Sequence, residues 1–198
     1  GHGLASVPKF IILKNRSASD DWAVYHVGIG NSAHFILNSN SVQSTSSAYW
    51  GNFTPTTSLF KVGSDHKLNA SGENYVAYVW SEFPGLSAFG RYIGNSNATG
   101  PYCHLGFKPK LLVIKRVDDT GSWLVQDSAR RPFNDGQHLE VYWNSSAGDQ
   151  SGADSHDGKE HFGYGFRITG TNGGINGNNN QYVYMAWADT PARHSVGF

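Results

Sequence analysis

The chain has 198 residues, enough to bury a sizeable core as one domain or as two small ones of about 100 residues each. Its fifteen basic residues balance fifteen acidic ones, so no net field would hold a nucleic-acid backbone or an anionic membrane surface. No apolar run approaches the roughly 20 residues of a membrane span.

Glycine is abundant at 24, and Tyr, Phe and Trp together reach 14 %, the composition of many short strands joined by tight turns. A single cysteine, Cys103, cannot make an internal disulfide and suits a small buried apolar position. The chain starts at Gly1-His2-Gly3 without Met, which reads as a boundary within a longer polypeptide.

Lys9 to Lys14 is an apolar run between charges behind Pro8, and its β-branched content favours a strand covered on both faces. After the polar turn Asn15 to Asp21, Trp22, Val24 and His26 alternate with Ala23 and Tyr25 as in a half-buried strand, so the two segments read as a hairpin. His34 to Asn38 is a third strand, Ser39 to Ser58 a Ser/Thr/Asn-rich stretch carrying Tyr49, Trp50 and Phe53, and Leu59 to Val62 a fourth strand. Gly63 to Gly72 is a polar loop. Tyr75 to Ser81, strongly apolar and aromatic, is expected in the centre of a sheet. Phe89 to Ile93 and Tyr102 to Leu105, with a Gly/Asn/Ser turn between them, form an expected hairpin.

From there the plan repeats. Pro8 to Lys14 returns as Pro109 to Lys115 and Trp22-Ala23-Val24 as Trp123-Leu124-Val125, 101 residues on; Tyr75 to Glu82 returns as Tyr182 to Asp189, 107 residues on. Two blocks in one order at nearly one offset mark an internal duplication, with about six residues of loop growth in the second copy. The second copy has predicted strands at Lys110 to Lys115, Trp123 to Gln126, Leu139 to Trp143, Gly165 to Ile168 and Tyr182 to Ala188. Asn144 to Phe162 and the Gly/Asn run Thr169 to Asn180 read as solvent-facing loops. The end, Ser195 to Phe198, resembles Ala88 to Arg91 at the offset of 107. The arm that should precede the first copy is expected upstream of Gly1, with this tail pairing in its place, in its own chain or in a neighbour.

Three chemistries can be weighed. Asp154, Asp157 and Glu160 could offer oxygens to Ca²⁺, yet their spacing fits neither an EF-hand nor an HExxH helix, and a solvated loop is the simpler reading; no cofactor is expected otherwise. Glu82 and Asp189 recur at equivalent positions, as do Asp20-Asp21 and Asp118-Asp119, which suits strand ends and turns better than catalysis, and no G-x-S-x-G elbow occurs. A sugar site needs a flat ring beside paired hydrogen-bonding groups, and Tyr49, Trp50 and Asn52, with Tyr142, Trp143 and Asn144, supply them in or beside polar loops. Each ring could instead turn inward and cap a small core. Trp22, Trp80, Trp123 and Trp187, repeated within apolar patterns, are assigned to the core.

The segments PKFIILKNRSASDDWAVYH, NASGENYVAYVWSE, LGFKPKLLVIKR and QYVYMAWADTP resemble a module of predicted tail-fibre and other virion proteins of marine bacteriophages, often found after SPRY-like or LamG-like domains. The resemblance covers nearly the whole chain. It implies a virion surface or appendage protein, oligomeric, in contact with other virion proteins and with the host cell surface, and it brings no known catalytic residues. This chain begins after the family's first strand and has Val79-Trp80 where relatives often carry Cys-Trp or Cys-Phe.

The expected architecture is all-β: two tandem antiparallel sandwich-like or jelly-roll-like units, residues 1–86 and 87–198, packed with pseudo-twofold symmetry around one core or two. The expected function is non-enzymatic host-glycan adhesion, without nucleic acid or membrane insertion. A polysaccharide depolymerase and a purely architectural oligomerisation module are the alternatives.

Overall fold

The computed structural model describes residues 1–130, 134, 140–148 and 158–189. The first half contains β1 (Pro8–Asn15), β2 (Ala23–His26), β3 (Ala33–Ile36), β4 (Ser44–Thr45), the one-turn helices α1 (Ser47–Trp50) and α2 (His66–Asn69), and β5 (Tyr75–Ser81). The second contains β6 (Ser87–Ile93), β7 (Tyr102–His104), β8 (Pro109–Arg116), β9 (Leu124–Asp127), β10 (Val141–Tyr142), β11 (Lys159–Phe162), β12 (Gly165–Ile168), α3 (Gly173–Asn176) and β13 (Gln181–Ala188).

All pairings among the named strands are antiparallel. They form a five-stranded sheet β4-β3-β2-β1-β5, a second five-stranded sheet β10-β9-β8-β13-β6, and a three-stranded sheet β11-β12-β7. The protein is therefore all-β and sandwich-like.

Alternation along the strands explains the layers. Phe10 and Ile12 of β1, Val24 of β2 and Phe35 of β3 point into a core shared with Phe89, Val113, Val183 and Met185 of the second sheet. The intervening Ile11 and Leu13 face outward under Trp50 and Leu68. On the second sheet Leu112 and Ile114 face outward under Phe166, Ile168 and Ile175. Each large sheet is covered on both faces, and the inner core belongs to both halves.

Two polar groups also bind the sheets across that core. His26 Nδ1 accepts from Gly28 N–H (2.9 Å), which leaves Nε2–H to donate to the Tyr184 carbonyl (3.1 Å). Burial holds this imidazole neutral, with its pKa pushed down to about 4. Trp123 Nε1–H donates to the Ile36 carbonyl at 3.1 Å.

Local bonding recurs in both halves. Trp22 N–H donates to Asn38 Oδ1 (2.9 Å) and Trp123 N–H to Asn144 Oδ1 (2.8 Å). The Tyr75 hydroxyl accepts from Ala70 N–H and donates to the His66 carbonyl, both at 2.8 Å. The Tyr182 hydroxyl accepts from Gly177 N–H (2.9 Å) and donates to the Gly173 carbonyl (2.6 Å). Asp65 and Asn172 cap α2 and α3, whose Leu68 and Ile175 are buried.

Several expectations need correction. β5 is an edge strand, with Tyr78 47 % exposed, because only β1 pairs with it among the described residues. Leu59 to Val62 forms no strand; Phe60 and Val62 instead pack on the outer core of the first sheet, and Gly63 N–H bonds the Tyr49 carbonyl. β6 and β7 do not pair with each other, since β6 joins β13 and β7 joins β12. β2 is buried on both faces rather than half-buried. The polar stretch Gly63 to Gly72 contains α2, and the Gly/Asn run contains α3, where buried Asn176 donates to the Asn97 and Gly170 carbonyls and accepts from Asn95 N–H. The loop ending at Phe162 finishes as β11, with Lys159 and His161 buried. The tail Ser195 to Phe198 lies outside the described residues.

Candidate functional site

The first sequence candidate does not form a platform. Ser46 caps α1, Gly51 stops it at φ +60°, and this single turn lays Tyr49 and Trp50 on the first sheet, 6 % and 2 % exposed. Trp50 meets the edge of Tyr25 with ring centroids 5.8 Å apart, and Tyr49 stacks on His34 at 3.4 Å. Asn52 remains exposed without them.

The second candidate lies along the seam between the halves. Tyr142 is half-buried against the outer core of the second sheet, and the Asn144 amide holds Trp123 N–H and Ser122 Oγ. Tyr142 and Asn144 line a polar cleft of about 550 Å³ with Asn38, Ser39, Asn40 and Ser122. Trp143, 37 % exposed, turns instead to an apolar groove of about 530 Å³ with Ile12, Trp22, Leu37, Tyr78 and Trp80. Among the described residues, neither hollow is lined by a carboxylate.

Beneath the cleft lies Lys115, fully buried, donating to the Ser41 and Arg116 carbonyls at 2.8 and 3.1 Å, with its ammonium over the Phe35 and Trp123 rings. Burial, helped by the neighbouring Arg116 charge, lowers its pKa to about 8.

Asp21, Asp118 and Asp189 of the paired acids are engaged within the scaffold. Asp21 accepts from Lys67 and Asn38, which hold its carboxyl below the usual range. Asp118 accepts from Arg116 and from Gln181 N–H, and Asp189 pairs with Lys110 at 3.0 Å. Glu160 is exposed on β11, whereas Asp154 and Asp157 lie outside the described residues. No group of three or more His, Cys, Asp or Glu side chains able to hold a metal occurs among the described residues. Cys103 is buried, and burial pushes its thiol up to about 12.

The sequence reading missed the outer face of the three-stranded sheet. Its inner face is closed by Cys103, Phe166 and Ile168 with Lys159 and His161, so alternation throws Tyr102, Glu160 and Phe162 outward. Register places Glu160 opposite Arg167 and Arg167 opposite Tyr102 in one row, with Phe162 opposite Gly165 and Gly165 opposite His104 in the next. Tyr102 and Phe162 stand edge to face at 5.9 Å, and the Arg167 guanidinium lies over the Phe162 ring at 5.6 Å. Tyr164, in the β11–β12 turn, is 69 % exposed while its carbonyl accepts from Leu105 and Gly106 N–H.

At Gly165 an added Cβ would stand 2.1 Å from the Cys103 carbonyl and 3.0 Å from the Tyr102 hydroxyl, so glycine is required where the strands close up. The signal in the sequence was the alternation Lys159-Glu160-His161-Phe162, which charge content disguised as a loop.

An antiparallel sandwich carrying an exposed aromatic and charged sheet face is the class of protein that the fold and this site define. The chain belongs to the family described as Domain of unknown function (DUF7483), whose model matches residues 1–191. Comparison with curated proteins and with solved structures finds no match.

Proposed function

We propose that the chain is a non-enzymatic surface module of a virion appendage that adsorbs to host glycans through the outer face of β7, β12 and β11. The observation that carries this reading is the convergence of Tyr102, Phe162 and Tyr164, exposed by 45, 38 and 69 %, with Arg167, Glu160 and His104 on one small sheet. Rings take the C–H faces of a sugar; the guanidinium and carboxylate take its hydroxyls. Strands and the short β11–β12 turn hold these groups in place, so little ordering entropy is lost on binding. Balanced charge favours a neutral ligand over nucleic acid or a membrane surface. The virion setting, with other virion proteins and further copies of the chain as neighbours, rests on the resemblance of the repeated segments.

A depolymerase would need two carboxylates about 5 to 10 Å apart flanking one bond. The sheet face offers Glu160 alone among the described residues, which favours binding over hydrolysis. A glycan array and host-cell adsorption assay on the purified chain, beside Tyr164→Ala, Phe162→Ala and Trp143→Ala, tests the reading. Binding lost by about tenfold or more in the first two variants, kept in Trp143→Ala, and accompanied by no released reducing sugar is the expected result. Sugar release would transfer the function to the depolymerase, and wild-type chain that binds nothing would leave an architectural module.

A further inference from the structure

We propose that the hollows around Trp22 form one groove for an extended segment of a partner protein, one that carries an apolar side chain next to a carboxylate. Three hollows adjoin there. The apolar groove shares Trp22 and Tyr78 with a hollow of about 550 Å³ lined also by Lys14, Asn15 and Arg16, and it shares Asn38 with the polar cleft. The outer two have no lining residue in common, so the aromatic part lies between a cationic end and a polar end.

The repeated segments show what covers such a surface. Lys14 and Trp22 return as Lys115 and Trp123, and around Trp123 the surface is closed by a passing stretch of chain, Phe35 to Gln43. The Ile36 carbonyl accepts the Trp123 indole N–H at 3.1 Å, Phe35 stands edge-on to that indole at 5.4 Å, and the Ser41 carbonyl accepts from Lys115. Gly121 N–H to the Asn40 carbonyl and Gln43 N–H to the Val117 carbonyl tie the stretch down, and Trp123 is fully buried. Among the described residues nothing closes Trp22 in that way. Its ring is half-buried, its indole N–H meets no acceptor among them, and Lys14 turns back to the Asn15 and Ala18 carbonyls of its own turn.

The chemistry of the occupant follows from the lining. Arg16 is exposed, and its guanidinium makes no ion pair or hydrogen bond among the described residues; Asp20 and Glu73 accept instead from the Asn15 amide. No carboxylate lines any of the three hollows among the described residues. A planar guanidinium holds a carboxylate through two parallel bonds, so the cationic end takes an acid. Three indoles and the Tyr78 ring take an apolar side chain, and the amides and hydroxyls of the cleft take a polar one. An extended peptide presents that succession on one face, at alternate residues. Trp, Tyr and Arg are also the side chains in which binding energy concentrates at protein interfaces.

End-blocked Asp-Thr-Phe-Thr-Asn and its reverse, each with an acid, a ring and an amide on one face, test the groove by titration into the full chain while the tryptophan indole N–H signals are followed by NMR. One direction is expected to shift the signals of Trp22, Trp80 and Trp143 and to leave that of Trp123 in place. Binding is expected to weaken about tenfold or more in Trp143→Ala and in Arg16→Glu, with the unmoved Trp123 signal showing that each variant keeps its fold. A peptide with Lys in place of Asp is expected to prefer Arg16→Glu to the wild type. No shift with any peptide, or equal affinity for the Asp and Lys peptides, would overturn the proposal. Shifts that follow protein concentration without peptide would overturn it in favour of a second copy. The glycan face lies on another sheet, so Trp143→Ala is expected to lose the peptide and keep the sugar, and either reading can fail without the other.

Discussion

The outer faces of the two large sheets are sealed in opposite ways at corresponding places. On the first sheet Tyr25 lies under Trp50, and His34 stacks on Tyr49. On the second, Gln126 holds the Tyr25 position and bonds His161 at 3.0 Å, beside a fully buried ion pair of Lys159 and Glu140. Asn134 adds a two-bond clasp to the His161 backbone, each bond 2.8 Å. Aromatic cover tolerates imperfect geometry because dispersion and area burial are non-directional, whereas buried ions repay their desolvation only when paired. One strand scaffold therefore accepts either solution.

The sharpest break in that comparison is Glu140→Leu. Removing this carboxylate takes the Glu140 counter-charge from the buried Lys159 ammonium, at an expected cost of about 3–5 kcal/mol in urea unfolding. Glu140→Leu with Lys159→Met is expected to recover most of the loss, since a matched apolar pair removes the charge as well as its partner. A double variant as unstable as the single one would show that packing, rather than charge, fixes this face.

Leu68→Ala and Ile175→Ala come next. Both side chains plug an outer core from a one-turn helix, 2 % and 0 % exposed, so each truncation is expected to cost about 2–4 kcal/mol. The two losses should agree within about 1 kcal/mol, because the surroundings of each plug are equally closed. A much smaller loss at Leu68 would mean that the Tyr49 and Trp50 cover collapses into the cavity as the Phe166 and Tyr182 cluster around Ile175 does not.

Acid should separate the faces more gently. Burial pushes the His34 pKa down to about 4; Asp65 opposes that shift and Lys67 adds to it. With an unfolded value near 6.5, the unfolded chain binds the proton first, so stability present above about pH 6.5 is lost as pH falls towards 4. The loss is at most about 3 kcal/mol, and His26 adds a similar slope from the inner core. His34→Phe keeps a ring on Tyr49 and is expected to flatten the curve of unfolding free energy between pH 7 and 4, leaving the His26 part. An unchanged curve would remove His34 from the acid response.

The long strands were legible because an apolar run, bounded by lysines in β1 and β8 and by polar residues in β13, says directly that both faces are covered. The same apolar run misled at β5. Side chains report which faces are buried, but edge pairing is made by the backbone and depends on where β6 goes. Trp50 was ambiguous for another reason: the direction of its ring follows from a single helical turn, too short to leave a periodic pattern. Lys159 and His161 read as part of a solvent-facing loop, and Glu140 stood unremarked in a predicted strand, since each is acceptable inside only beside the others, and that proximity exists in space alone. The exposed aromatic face escaped for the converse reason, its rings being spread over β7, β11 and a turn.

The smallest effect concerns the two sides of that small sheet. Phe166 on the inner side is completely buried and touches the rings of Tyr92 and Tyr184, so its loss should be felt throughout the outer core. Tyr164 is 69 % exposed and contributes to the fold through its carbonyl, which any residue supplies. Tyr164→Ala is therefore expected to change the unfolding free energy by no more than about 0.5 kcal/mol, against about 3–5 for Phe166→Ala. A ring of that size kept in water contributes little to folding and much to whatever it meets. A thermal melt that moves by several degrees in Tyr164→Ala would instead make the ring part of the sheet's packing, and would take from the sheet face its most exposed contact.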